Sequence, residues 1–193
     1  MIELELKAVI PDADALVARL RTYGARQEFV GALIDRRFDF RDGSLTMRDE
    51  VVRVREYRGE DGGAQTSLEW KGPTTTPDGY KQREEIGVET GDAETLVAIL
   101  HRMGFRITRT IEREIRQYRL DGAIVRMEHY PRMDDLVEVE GEAADIERAI
   151  TQMGIARDQF STDSLSEFTR RYEERTGLQA LTGTVGDAEY GNA

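Results

Sequence analysis

The sequence of 193 residues is long enough for one well-buried core, carries a formal net charge of −11, and contains no cysteine. The lack of cysteine excludes disulfides, thiolate metal sites and a cysteine nucleophile, so oxygen atoms remain the main ligands for a metal. The acidic balance argues against a general nucleic-acid-binding surface, because phosphate backbones favour basic faces.

Three segments along the chain share one plan. An alternating acidic strand leads through a turn into an amphipathic helix, and a glycine and a return strand follow. Helices are predicted at about 12–23, 92–103 and 143–153, and they end at Gly24, Gly104 and Gly154. The repeated plan predicts one sheet flanked by similar helices.

Further strands are predicted between these units, with turn signals such as Asp61-Gly62-Gly63 and Asp121-Gly122 separating them. The predicted ranges are about 34–39, 51–58, 65–71, 80–89, 111–120 and 123–129. Many strands with short returns indicate an antiparallel meander, and closing it into a barrel removes its edges. The fold class expected is therefore α+β, with the helices packed outside the sheet.

The chain is expected to form one domain over residues 1–176. Residues 177–193 carry several glycines and small polar residues without a sustained apolar period, which predicts a flexible tail. The N-terminal residues lack the pattern of a signal peptide, and no run reaches the roughly 20 apolar residues of a membrane helix. A cytoplasmic location without a membrane partner is expected.

Charged residues alternate with apolar ones along five predicted strands, so each of these strands has one charged and one apolar face. For any single strand of this kind, the usual interpretation is that the charged face lies in water. Five such strands favour a shared charged surface instead, because helices that cover the apolar faces would leave all the charged faces on the same side of the sheet. If the sheet closes, these charges line a polar interior that can enclose a ligand.

Both signs of charge occur among these residues, which lowers the free-energy cost of burying charges in such an interior. The carboxylates suit a hard divalent cation, Mg²⁺ or Mn²⁺, and the cations suit several phosphate groups. A metal chelate of a polyphosphate is the ligand that this combination indicates. The acidic set is Glu3, Glu5, Glu128, Glu138 and Glu140, and the basic set is Arg53, Arg55, Lys71, Arg83 and Arg113.

A series of short motifs extends across the chain to about Phe168. The first is Glu3-Leu4-Glu5-Leu6-Lys7, which fits a Glu-x-Glu-x-Lys signature, and the last is Glu138-Val139-Glu140. Between them lie Asp35-Arg36-Arg37-Phe38-Asp39, Val52-Arg53-Val54-Arg55, Leu68-Glu69-Trp70-Lys71-Gly72-Pro73 and Lys81-Gln82-Arg83-Glu84-Glu85. In this order and spacing, the motifs resemble those of the CYTH, or triphosphate tunnel, family, and the likeness is closer to its branch of class IV adenylate cyclases.

The resemblance implies a closed eight-stranded antiparallel tunnel. It implies that Glu3, Glu5, Glu138 and Glu140 hold the metal, with Glu128 at the place of a further acidic ligand. It also implies that Glu5, Lys7 and Glu140 take part in catalysis. The triphosphate would be held by Lys7, Arg53, Arg55, Lys71, Arg83 and Arg113.

Three departures from the family pattern put details in question. Arg37 replaces an aromatic residue, which leaves its inward or outward direction open. The place of a second basic residue, two positions after Arg113, is taken by Ile115; either Arg116 substitutes for it after a bulge, or that phosphate contact is missing. Residues 131–135 replace a glycine-rich turn at the tunnel mouth.

The leading functional hypothesis is conversion of ATP to cyclic AMP and pyrophosphate with Mg²⁺ or Mn²⁺. The alternative is a triphosphatase that hydrolyses inorganic, thiamine or nucleoside triphosphate. A tunnel that binds a nucleotide or polyphosphate without turnover is a third hypothesis, from a different class. In each case the partner is a small-molecule triphosphate rather than a nucleic acid, and a homodimer is left open.

Overall fold

The computed structural model describes residues 2–183, and these form a closed antiparallel β-barrel with helices outside it. The strands are β1 Ile2–Val9, β2 Arg26–Asp39, β3 Val51–Gly59, β4 Ala64–Lys71, β5 Lys81–Thr90, β6 Arg106–Leu120, β7 Ala123–His129 and β8 Leu136–Glu140. The helices are α1 Ala13–Thr22, α2 Ser44–Met47, α3 Ala93–Arg102, α4 Ala143–Met153 and α5 Leu165–Thr176. The predicted α+β barrel is confirmed.

The strands follow one another around the barrel in the order β1-β5-β4-β3-β2-β6-β7-β8. β1 pairs antiparallel with both β5 and β8, which closes the ring and leaves the first and last strands side by side. The N-terminal and C-terminal acidic motifs, far apart in sequence, therefore become neighbours.

Side-chain caps fix where the outer helices begin. Asp12 accepts a hydrogen bond from the amide of Ala15 at 2.9 Å, and Asp92 accepts one from the amide of Glu94 at 3.0 Å. Gly154 ends α4 in the left-handed conformation with φ of 68°, which only glycine adopts without cost. These signals placed the three predicted helices correctly.

The apolar core lies between the outer surface of the barrel and these helices. Leu6, Val125 and Val139 point outward from β1, β7 and β8, and they pack with Leu20 of α1 and Ile146 of α4. A second cluster lies between α3 and the outward side chains of β2 and β3. Because the apolar faces are buried outside, the charged faces point into the barrel.

The helix α5 lies over one end of the barrel. Its Phe168 packs against Ile111, Tyr130 and Leu136. A capping box between Ser164 and Glu167 starts this helix, which brings its first residues to the rim of the interior.

Residues 178–183 continue along the barrel beyond α5. Leu181 forms a bridge with Arg132, and the amide of Glu112 donates to the carbonyl of Thr182 at 2.9 Å. This part of the expected tail is therefore in contact with β6, while residues 184–193 of that tail lie outside the described residues. Within residues 2–183, no helix has both the length and the apolar character needed to cross a membrane.

Candidate active site

Inward-pointing side chains enclose a cavity of about 360 Å³ inside the barrel. Strand alternation brings most of the predicted site residues to it from seven different strands. The predicted residues that line it are Glu5, Lys7, Arg53, Arg55, Lys71, Arg83, Arg113, Glu128, Glu138 and Glu140.

Three carboxylates converge where β1 meets β8. Glu5 and Glu140 are direct cross-strand partners, and Glu3 lies two residues before Glu5 on the same face. Each offers one oxygen atom, and these atoms lie within 4.8 Å of one another. Like charges placed opposite each other across a strand pair are destabilising, so this arrangement needs a compensating group.

The titration of this carboxylate cluster shows the imbalance. Burial, followed by the charge of Glu140 and a hydrogen bond with Glu85, raises the pKa of Glu3 to about 9. Burial would also raise the pKa of Glu140, but Arg126, Lys71 and Lys7 together outweigh it and lower that pKa to about 2. Carboxylate oxygens are the ligands that a hard divalent cation prefers. Glu3, Glu5 and Glu140 could therefore hold a divalent metal ion.

The two other acidic residues predicted as metal ligands have cationic partners of their own. Glu138 is ion-paired with Lys7, its cross-strand neighbour, and with Arg126 at 2.5 Å. Glu128 accepts from Arg113 at 2.7 Å and from the hydroxyl of Tyr130 at 2.8 Å. Both line the same cavity, but neither belongs to the converging carboxylate cluster.

An arginine cluster surrounds Asp35 on the opposite wall of the barrel. Asp35 is 1% exposed and accepts from Arg55 at 2.7 and 2.9 Å and from Arg113 at 3.0 Å, while Arg53 lies 3.7 Å away. Burial would raise the pKa of Asp35, but these three guanidinium groups hold it well below its usual range. Each guanidinium has five N–H donors, so the three guanidinium groups together offer more donors than the carboxylate of Asp35 can accept. The arginines are thus held in place with donors to spare for phosphate oxygens.

Lysines connect the carboxylate cluster to β4 and β5. Lys71 Nζ lies 3.1 Å from Glu3 and also contacts Glu85, and Lys81 Nζ lies 2.5 Å from Glu5. Arg83 donates from its Nε to the carbonyl of Gly72 at 2.5 Å, which ties this side chain to the turn after β4.

Arg116 is not brought to the cavity. The pairing of β6 with β7 is continuous from Glu114 to Leu120, so β6 has no bulge there. Ile115 therefore lies on the same inward face of β6 as Arg113. Arg116 points outward and forms an ion pair with Asp14 of α1 at 2.6 Å. Its predicted role in substrate binding gains no support from the structure, because alternation along an unbroken strand places it on the outer face.

Three cations that line the cavity were not predicted as site residues from the sequence, namely Lys81, Arg126 and Arg37. Arg126 is 5% exposed and bonds to Glu138 and Glu140 at 2.5 and 3.2 Å. The sequence could have indicated this role of Arg126, because Arg126 lies two residues before Glu128 and therefore points to the same face of β7. Arg37, whose direction the sequence left open, also points into the cavity.

The fold and the site together define a class: closed antiparallel β-barrels whose interior carries a carboxylate cluster on one wall and guanidinium groups on the other. The CYTH domain family model matches residues 1–162, and the chain belongs to the CYTH family. Proteins of this family are metal-dependent and act on triphosphate substrates. A search of curated proteins gave no match.

Solved structures share this fold. The PH1819 protein of Pyrococcus horikoshii is 22% identical, with a TM-score of 0.70 over 88% of this chain and 98% of its own. A candidate adenylate cyclase of Vibrio parahaemolyticus is 15% identical, with a TM-score of 0.73 over 87% and 97%. HpAC1 of Hippeastrum, a candidate adenylyl cyclase described as having a dominant triphosphatase activity, is 18% identical, with a TM-score of 0.61 over 93% and 97%.

Proposed function

We propose that this protein is a metal-dependent enzyme that cleaves a triphosphate, and that its reaction is the adenylate-cyclase-like conversion of ATP to cyclic AMP and pyrophosphate. The observation that carries the proposal is the convergence of Glu3, Glu5 and Glu140 at a cavity that Glu5, Glu140 and the arginine cluster around Asp35 line together. A metal chelate of a triphosphate complements both walls at once, because it carries the cation that the carboxylates need and the oxygens that the arginines can bind.

The metal, when bound, would neutralise phosphate oxygens and polarise the phosphorus under attack. The residues of the chain then provide positioning and charge, which is most of what phosphoryl chemistry asks of a protein. Arg53, Arg55 and Arg113, fixed by Asp35, would hold the leaving phosphates. Lys7, whose pKa is lowered by burial, is a phosphate ligand two residues from Glu5.

In the cyclisation, the ribose 3′-hydroxyl attacks the α-phosphorus, the bond to the bridging oxygen breaks, and pyrophosphate leaves. The hydroxyl proton needs an acceptor at the carboxylate end of the cavity. Glu5 and Glu140 lie at that end of the cavity, and lysines and Arg126 lower their pKa values to about 2, which keeps them ionised but makes them weak bases.

Hydrolysis of a triphosphate is the second candidate. The cavity lining supports it, because it is dominated by charged groups and offers few apolar side chains, among them Val51, Ile111 and Leu165, for a nucleobase. Water would then attack a terminal phosphorus, and the same cations would hold the chain. The dominant triphosphatase activity described for the Hippeastrum protein is in line with this alternative.

Product analysis tests the proposal. The protein is incubated with ATP or tripolyphosphate and Mg²⁺ or Mn²⁺, and the products are followed by chromatography and phosphorus NMR. Cyclic AMP with pyrophosphate supports the cyclase, whereas orthophosphate release without a cyclic product favours the hydrolase. Glu140→Gln should abolish either reaction, and Glu114→Gln, an exposed carboxylate on β6, is the matched control. Tight binding of ATP and tripolyphosphate without any product would refute catalysis and leave a binding module.

A further inference from the structure

Arg37 occupies the centre of a row of three arginines that crosses the inner wall of the barrel. In the pairing of β2 with its two neighbours, Arg37 lies directly opposite Arg53 on one side and Arg109 on the other. The two flanking arginines have partners: Arg53 bonds to Glu69 at 2.6 Å, and Arg109 donates to the hydroxyl of Thr182 at 2.7 Å.

Arg37 lacks a comparable partner among residues 2–183. Its Nε atom is buried and makes no hydrogen bond, and no carboxylate of the described chain forms an ion pair with it. Burial, followed by repulsion from Arg53 and Arg109, lowers its pKa to about 10 even though Asp35 acts in the opposite direction. The side chain nevertheless borders the cavity, so a ligand can reach it.

A largely desolvated cation without an ion-pair partner is costly, and proteins rarely keep one without a use for it. A guanidinium that only stabilised the fold would be bonded to a carboxylate or to a carbonyl group, as Arg116 is to Asp14 and Arg132 is to the carbonyl of Gln179. An oxyanion in the cavity supplies the missing charge and accepts the unused N–H donors.

The position of Arg37 indicates which part of a ligand it meets. In the closed ring, β2 lies four strands from β1, on the wall opposite Glu3 and Glu5. The geometry points to an oxyanion subsite at Arg37 that takes the phosphate group farthest from the metal and so selects for the length of the polyphosphate chain. This inference rests on the proposed function for the nature of the ligand, but its test does not need turnover.

The test compares the affinities of phosphate chains of increasing length. Pyrophosphate, tripolyphosphate and tetrapolyphosphate are titrated into the full chain by calorimetry, with and without Mg²⁺. The variants are Arg37→Gln, which removes the charge, and Arg37→Lys, which keeps it. Arg36→Gln is the matched control, since Arg36 points outward and pairs with Glu56 and Glu94 at 2.8 and 2.9 Å.

The Arg37→Gln variant should bind tripolyphosphate and tetrapolyphosphate about 10- to 100-fold more weakly, as expected for the loss of a charged hydrogen-bond donor. Pyrophosphate, which the metal end can hold alone, should change by less than about threefold. Arg37→Lys should recover part of the loss, and Arg36→Gln should show none. The ligand-free Arg37→Gln protein should melt at or above the wild-type temperature, because a repulsive charge is gone.

Unchanged affinity for the longer chains would overturn the subsite, as would an equal loss for all three chain lengths. A lower melting temperature with unchanged binding would show that Arg37 serves only the fold. A wild-type chain that binds tripolyphosphate through Arg37 but forms no product would refute the proposed function and keep the subsite. Normal turnover with no effect of Arg37→Gln on affinity would keep the proposed function and refute the subsite.

Discussion

Asp35→Asn should destabilise the protein more than most single substitutions, although it changes only one atom. Asp35 is the shared acceptor of two guanidinium groups, with a third at 3.7 Å, in a place with 1% exposure. An asparagine offers one carbonyl oxygen and no charge, so it leaves buried cations without compensation.

The expected loss follows from what removing one partner of a buried ion pair costs, about 3–5 kcal/mol. For a domain of this size, each kcal/mol shifts the melting temperature by about 2–4 °C, so the total is about 6–20 °C. Asp14→Asn is the control, since Asp14 also pairs with an arginine, at 2.6 Å, but its side chain is 87% exposed. Exposed pairs contribute about 0–1 kcal/mol, which predicts a shift of no more than about 4 °C.

Thermal and urea unfolding of both variants, followed by circular dichroism, measures the difference. A second arm adds tripolyphosphate, whose oxygens can replace the lost carboxylate among the arginines. The added ligand should raise the melting temperature of Asp35→Asn by more than it raises that of the wild type. An Asp35→Asn protein that melts within about 2 °C of the wild type would show that the arginine cluster does not depend on this carboxylate.

Three further outcomes are expected. Glu5→Gln and Glu140→Gln should each lower metal-dependent turnover by at least about 100-fold while the fold survives, and wild-type rates would remove these residues from the site. Arg116→Gln should leave KM within about twofold of the wild type, because its side chain lies outside the barrel; a much higher KM in steady-state kinetics would contradict that placement. The folded-state pKa of Asp35 is depressed, so its contribution to stability is present above its unfolded pKa of about 3.9 and declines as the pH falls below it. The difference in urea stability between wild type and Asp35→Asn should therefore shrink by about 1.4 kcal/mol per pH unit below about pH 4, and a constant difference between pH 7 and pH 3 would refute this assignment.

The alternation of charged and apolar residues along the strands allowed the barrel to be predicted from the sequence. It assigned Glu3 and Glu5 to one face of β1 and Leu4 and Leu6 to the other. The structure places Glu5 at the cavity, Glu3 beside it in the carboxylate cluster, and Leu6 in the outer core. The first residues of the strands were predicted less accurately. β2 begins at Arg26 rather than near residue 34, because its first half lacks a clear alternation of polar and apolar residues.

Cross-strand register could not be read in the same way. Alternation correctly turned Glu138 and Glu128 inward, but it carries no information on which side chain of the next strand lies opposite. The pairing of Glu138 with Lys7 and with Arg126 therefore became visible only in the structure. The same register left Glu140 opposite Glu5, and this difference separates the ion-paired carboxylates from those that converge.

The interior charges link stability to chemistry, because several side chains that pair with one another inside the barrel also line its cavity. At the arginine cluster, Asp35 supplies a fixed negative charge that allows three guanidinium groups to be buried together before any phosphate arrives. At the carboxylate cluster, burial and the charge of Glu140 instead raise the pKa of Glu3 to about 9, and a bound cation would lower it again. Arg37 adds a cation without an ion-pair partner in the described chain to the opposite wall, so a ligand that brings its own metal complements both walls better than a bare phosphate chain does.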